Sequence, residues 1–222
     1  MPFASLLRGV GNRAYDHAFS LYVLCYRVFK AYTDRTERQL LRSILPAGAV
    51  AVDAGANIGV YSQFLSRCVG PTGVVHSFEP SPENFKRLQS GTRKLANVRL
   101  SQAAVGERSG RSKLYVSDHL NVDHRTYATE GDSRRIVPID IMALDDYFKP
   151  GQRVDLIKMD IQGYELHALR GASRVLGDNP NAKLLLELWP YGLRQAGASW
   201  LELIATLEAE NMSVHQVTTQ GL

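Results

Sequence analysis

Two segments of this 222-residue chain combine residue types and spacings that chemistry needs. The first is Val52-Asp53-Ala54-Gly55-Ala56-Asn57-Ile58-Gly59, a D-x-G-x-x-x-G stretch between an apolar run and a helical pattern. Gly55 permits a tight turn and close backbone approach. Gly59 lets the next helix pack against sheet or ligand, and free amides of its first turn can receive a negative group. A dinucleotide fingerprint needs G-x-G-x-x-G, and aligning its second glycine on Gly55 leaves Asp53 where the first belongs. A carboxylate there opposes a pyrophosphate and suits a cationic amino group. Glu79, 24 residues beyond Gly55, stands where a carboxylate accepts both hydroxyls of a ribose. Taken alone before Pro80, it would read as a turn carboxylate. The pair points to a zwitterionic nucleoside such as S-adenosylmethionine, against the plainer reading of a ligand-free strand-to-helix turn.

The second segment is Lys158-Met159-Asp160-Ile161-Gln162-Gly163-Tyr164-Glu165. Lys158 and Asp160 share one face of a strand, and Gly163 lets the chain turn sharply into a helix that Glu165 begins. Glu187, near the end of the next strand, is expected close to Asp160. A hydroxyl nucleophile must lose its proton as it attacks an activated methyl, and a carboxylate or imidazole within hydrogen-bond reach is the ordinary means. Asp160 is the first candidate for base or acceptor orienter. His124, in the polar loop around 118–125, is the second because imidazole titrates near neutrality, against its reading as a solvated loop histidine. Lys158 and Glu165 read equally well as a structural pair fixing the turn. Asp160 with Glu187 offers oxygen ligands for Mg²⁺, though two acids alone do not support a metal.

The elements that must position these groups alternate. Strands are expected at 49–54, 74–79, 98–104, 156–160 and 183–188, with helices at 58–68, from Pro82 behind a Ser81 N-cap, at 165–176, and from a Ser199/Glu202 capping box. That alternation predicts an α/β fold, a doubly wound and mostly parallel sheet with helices on both faces. Ligands of such sheets bind at the carboxyl ends of the strands, near the switch in strand order. Short β-like runs at 113–116 and 136–141 flank a polar stretch, 118–135, too long for an ordinary connection. One further strand-like run, 213–218, precedes the C-terminus. No repeat or low-complexity linker divides the body, which is expected to be one domain from 45 to 222 behind a helical extension at 1–44.

Composition narrows the class. An apolar content of 45% excludes disorder, and two cysteines exclude a disulfide scaffold and favour a reducing, cytoplasmic compartment. The net charge of +4 is confined to residues 1–42, which carry seven basic and three acidic residues, and the body is balanced at 19 of each sign. A balanced body without basic blocks argues against nucleic acid as a partner. Tyr15, Phe19, Tyr22, Val23, Tyr26 and Phe29 recur at helical spacing, and the charges among them exclude a bilayer span of about 18 apolar residues. This extension is read as a helix packed on the body, with covering the acceptor, lying on a membrane surface, or mediating homo-oligomer association as the other roles.

VDAGANIGVYS, FEPSPENF, VDLIKMDIQGYELHALRGA and LLLELWP, in that order and spacing, resemble the FkbM family of S-adenosylmethionine-dependent methyltransferases over about residues 45–188. The resemblance implies a class I methyltransferase fold and methylation of a hydroxyl on a sugar or glycosylated small molecule. It implies that Asp53, Gly55, Asn57 and Gly59 cradle the methionine part of the cofactor and Glu79 its ribose. Gln102 and Ala103 would lie against adenine, with Asp160 beside the transferred methyl. Gln162 departs from the acidic residue often found in the family's D-x-E-G segment. The short C-terminus departs from the antiparallel strand pair that usually completes the class.

Overall fold

The computed structural model describes residues 19–117, 124–128 and 134–218. Two helices, α1 (Phe19–Thr33) and α2 (Arg35–Ile44), lead into β1 (Val50–Ala54), α3 (Val60–Val69), β2 (Val74–Phe78), α4 (Pro82–Thr92) and β3 (Val98–Ser101). A small sheet follows, with β4 (Ala104–Val105), β5 (Gly110–Val116) and β6 (Arg135–Met142). The chain then adds α5 (Leu144–Tyr147), β7 (Leu156–Met159), α6 (Glu165–Arg170), α7 (Ser173–Asp178), β8 (Lys183–Leu186), α8 (Pro190–Gln195) and α9 (Trp200–Ala209).

The main sheet has the order β3-β2-β1-β7-β8, and all of its pairings are parallel. The order in which strands are added therefore reverses between β1 and β7, whose ends carry Gly55 and Asp160. Alternation along each strand divides the core. Val52, Ala54, Ile157 and Met159 face Leu144, Leu166, Leu169, Leu193 and Leu203, while Ala51 and Leu156 face Leu41, Phe64, Leu65 and Val69. Helices thus cover both faces, the doubly wound arrangement expected. In the smaller sheet β6 pairs antiparallel with β5 and parallel with β4.

Several elements differ from the sequence expectation, each for a local reason. The run 98–104 is divided, because β3 stops at Ser101 and Ala104 enters the other sheet. The helix expected at 165–176 breaks at Gly171, where an added Cβ would stand 2.1 Å from the Gly106 carbonyl oxygen. That close crossing is incompatible with a continuous helix carrying a side chain there. The short helices α5 and α8 span too few residues to show a period. Residues 212–217 form no regular element where a strand was expected, so β8 is the sheet's edge among the described residues. Ser81 does cap α4, its Oγ accepting from Asn84 N–H, and Ser199 with Glu202 does form a reciprocal capping box. Residues 15–18 and most of the polar stretch 118–135 lie outside the described residues.

Candidate active site

At the switch point the chain makes two left-handed turns that fit one another. Gly55 has φ +77°, and an added Cβ would meet the Asp160 carbonyl oxygen at 2.0 Å, so only glycine allows the two strand ends this approach. Gly55 and Ala56 donate their amides to the Phe78 carbonyl at 3.0 and 2.9 Å, tying the turn to the end of β2. Gly59 precedes α3 in a left-handed conformation, and an added Cβ would lie 2.7 Å from Leu88 Cδ1. Glu79 braces the turn from below. Asn57 N–H donates to its Oε2 at 2.8 Å and Ser81 N–H to its Oε1 at 2.9 Å. Burial nevertheless pushes the Glu79 carboxyl up to about 7.

Asp53 points into the interior and is fully buried. Ser62 Oγ donates to its Oδ2 at 2.7 Å, Ser77 Oγ donates to Ser62 in turn, and Lys158 Nζ lies 3.2 Å from Oδ1. For Lys158 burial opposes the charge, but Asp53 and Asp160 outweigh it and hold the ammonium above the usual lysine range. The same Nζ lies 3.9 Å from Asp160 Oδ2 and 4.8 Å from the Tyr61 ring centroid. The sequence paired Lys158 with Glu165. The structure instead gives Lys158 to Asp53, while Glu165 Oε1 accepts the Ile161 and Gly163 amides at 3.2 Å each and so fixes its own turn. Glu165 is fully enclosed, and burial pushes it up to about 7.

The acids beyond β7 and β8 do come together, through Gln162. Its φ is +56°, and its Nε2 donates to Asp160 Oδ1 at 3.1 Å and to Glu187 Oε2 at 3.2 Å. Glu187 is open to solvent at one side, yet partial burial and the neighbouring Asp160 raise its carboxyl to about 7. Gly163 follows at φ +97°, with no room for a Cβ against the Gly192 backbone, so this turn seats directly on α8. Tyr127 closes the other side by donating its hydroxyl to the Gln162 carbonyl at 2.6 Å.

These groups surround a cavity of about 420 Å³, a size that suits a small-molecule ligand. Gly55, Asn57, Glu79, Asp160, Glu187 and His124 all border it. His124 Nδ1 accepts the Ser117 amide at 3.2 Å. Three placements differ from the expectation. Gly59 does not border the cavity, because the open side of its α-carbon faces Leu88 of α4. Gln102 is exposed and Ala103 is buried, and it is their neighbours Ala104 and Val105 that border the cavity. Asp53 stands behind the wall, and Lys158 is the charged group that emerges from that pair. Among the described residues no group of three or more His, Cys, Asp or Glu side chains gathers to hold a metal ion.

The sequence reading missed three parts of the wall. Tyr26 and Lys30 of α1 border the cavity, because Phe19, Tyr22, Val23 and Tyr26 pack on Ile58 and Val60 beside the glycine turn. Periodicity marked that face as buried without saying what it covers. Trp189 borders the cavity under the Arg125 guanidinium, 5.1 Å from its ring centroid, and its position two residues after Glu187 was an available signal.

A family model for the methyltransferase FkbM domain matches residues 53–211. The chain is 29% identical to Methyltransferase 1 of Beauveria bassiana, over 57% of this chain and 59% of that one. It is 24% identical to the 2-O-methyltransferase NoeI of Sinorhizobium fredii, over 64% and 65% of the two chains. It therefore spans less than two thirds of either relative. Among solved structures, Aeropyrum pernix fibrillarin with bound S-adenosyl-L-methionine overlaps with a TM-score of 0.49, at 13% identity over 83% of this chain and 67% of that one. The family match takes in both the glycine turn and the Asp160 turn, and the chain belongs to the methyltransferase FkbM family.

Proposed function

We propose that this protein is an S-adenosylmethionine-dependent O-methyltransferase acting on a hydroxyl of a sugar or a glycosylated small molecule. The observation that carries the reading is the Asp160–Gln162–Glu187 cluster, acids held within hydrogen-bond reach of one amide at the rim of a cavity whose floor is the glycine turn. The residues present fit the cofactor. Gly55 keeps the floor free of a side chain, Glu79 offers carboxylate lone pairs to a diol, and the Asp160 and Glu187 carboxylates at the rim suit a sulfonium cation. We assign residues 45–222 as the cofactor-binding domain and residues 1–44 as a helical extension on it.

When bound, S-adenosylmethionine supplies an activated methyl group. The protein's own contribution is positioning and proton removal. Glu79 would anchor the ribose, and Gly55, Asn57 and the start of α3 would receive the methionine end. Asp160 would accept the acceptor's hydroxyl proton, with Glu187 sharing the charge through Gln162 and Lys158 holding Asp160 in place. His124 is the second candidate for the base. The name of the Sinorhizobium relative, a 2-O-methyltransferase, favours an oxygen acceptor, and Trp189 offers a flat apolar face for a sugar ring.

A methyl-transfer screen with labelled cofactor against sugars and glycoconjugates tests the assignment. Asp160→Ala is expected to bind cofactor normally by calorimetry while losing about 100-fold or more in transfer. Full turnover in that variant would move the base to His124 or solvent. Binding of NAD in place of S-adenosylmethionine would overturn the cofactor.

A further inference from the structure

Helix α1 is anchored on one side and apolar on the other. Phe19, Tyr22, Val23 and Tyr26 pack inward on Ile58 and Val60, with the Arg87 guanidinium over the Phe19 ring. On the outer side Leu24, Val28, Phe29 and Tyr32 stand 59, 64, 59 and 83% exposed. At 100° per residue these four fall within an arc of about 140°, one strip along the helix.

Charge is sorted around that strip. The exposed charged residues of α1 and α2 are Arg27, Arg35 and Arg42, all cationic, with Arg27 also donating to Gln63 Oε1 at 2.6 Å and the Arg42 guanidinium 5.1 Å from the Phe64 ring centroid. The acids are turned inward. Asp34 pairs with Lys30 at 2.8 Å and accepts hydrogen bonds from the Thr33 and Tyr61 hydroxyls, and Glu37 is partly buried. Residues 1–42 carry the whole +4 of the chain. No helix among the described residues is long and apolar enough to cross a membrane. An apolar strip ending in a tyrosine, on a helix pair whose exposed charges are all arginines, suits a helix that lies on an anionic bilayer.

We propose that α1 and α2 dock this protein on an anionic lipid surface, the strip at headgroup depth and Arg35 and Arg42 against lipid phosphates. A second copy fits the face less well, because a two-fold contact would bring two cationic rims together. The inner side of α1 carries Tyr26 and Lys30 at the cavity, so docking would set one cavity wall beside the membrane. The surface requires no turnover, and its test is independent of the chemistry assigned above.

Flotation of the full chain with vesicles measures it. Phosphatidylcholine vesicles containing phosphatidylglycerol are expected to carry the protein up the gradient, pure phosphatidylcholine vesicles are not, and raised salt should release it. Leu24→Ser with Phe29→Ser, both at exposed sites, should keep the wild-type melting temperature and weaken binding about tenfold or more. Arg35→Glu should do the same through the electrostatic part. Absence of flotation, equal flotation with neutral vesicles, or a concentration-dependent dimer abolished by the same substitutions would overturn the proposal.

Discussion

Asp53 and Lys158 are register partners on adjacent parallel strands, and their side chains meet inside the protein with Nζ 3.2 Å from Oδ1. The pair joins the strand that leads into the glycine turn to the strand that ends at Asp160. Removing one member leaves a buried charge without a partner. Lys158→Met should therefore cost about 3–5 kcal/mol, and Asp53→Asn in the same chain should restore much of that loss. Denaturant unfolding of the two single variants and the double variant checks this, and additive losses would show that the two residues are not coupled.

Glu79 predicts how cofactor affinity responds to pH. Burial lifts its carboxyl from the ordinary 4.5 to about 7, and donation from ligand hydroxyls favours the ionised form. Affinity for S-adenosylmethionine should rise with pH through about 7 and level off above it. Glu79→Gln should flatten that dependence in calorimetry and weaken binding about tenfold.

The same shifts act on folding with the opposite sense. Glu79 and Glu165 both titrate near 7 in the folded protein, so between about pH 4.5 and 7 the folded state holds more protons than the unfolded one. Stability of the ligand-free protein should fall as pH rises across that window and flatten above it, by on the order of a few kcal/mol. A series of urea titrations against pH reads this directly, and Glu165→Gln should reduce the slope.

Gln162 separates positioning from charge. Glu187 is raised to about 7 by burial and by Asp160, so methyl transfer should increase with pH through that value. Gln162→Gly accepts the φ of +56° and removes only the amide that serves both acids. It should move the acidic limb of the rate profile upward, and Gln162→Glu should move it further by adding a third carboxylate. An unmoved limb in both variants would mean that Gln162 serves the turn alone.

Gly55→Ala and Gly70→Ala provide a contrast in cause. Both glycines have positive φ, but a Cβ at Gly70 meets nothing within 4 Å and one at Gly55 meets the Asp160 carbonyl oxygen at 2.0 Å. Gly70→Ala should cost about 1–3 kcal/mol from backbone strain alone, and Gly55→Ala distinctly more, together with loss of transfer as Asp160 is displaced. Thermal melts of the two variants distinguish strain from collision.

Much of the architecture was present in the sequence because its signals are local. The alternation of apolar runs and helical stretches, the Ser81 and Ser199 caps and the glycines at 55, 59 and 163 each depend on a few neighbouring residues, and they placed Asp160 and Glu79 at strand ends. Side-chain partners between strands and helices depend on register and packing, which no spacing along the chain encodes. Only the folded chain pairs Lys158 with Asp53, makes Gln162 the link between Asp160 and Glu187, and brings Ala104 and Val105 to the cavity in place of Gln102 and Ala103. The N-terminal segment shows the division most plainly. Its period announced a helix with a buried face, and its charge was readable from composition alone, but packing decided that the buried face lies on the glycine turn and that the opposite face is left to solvent.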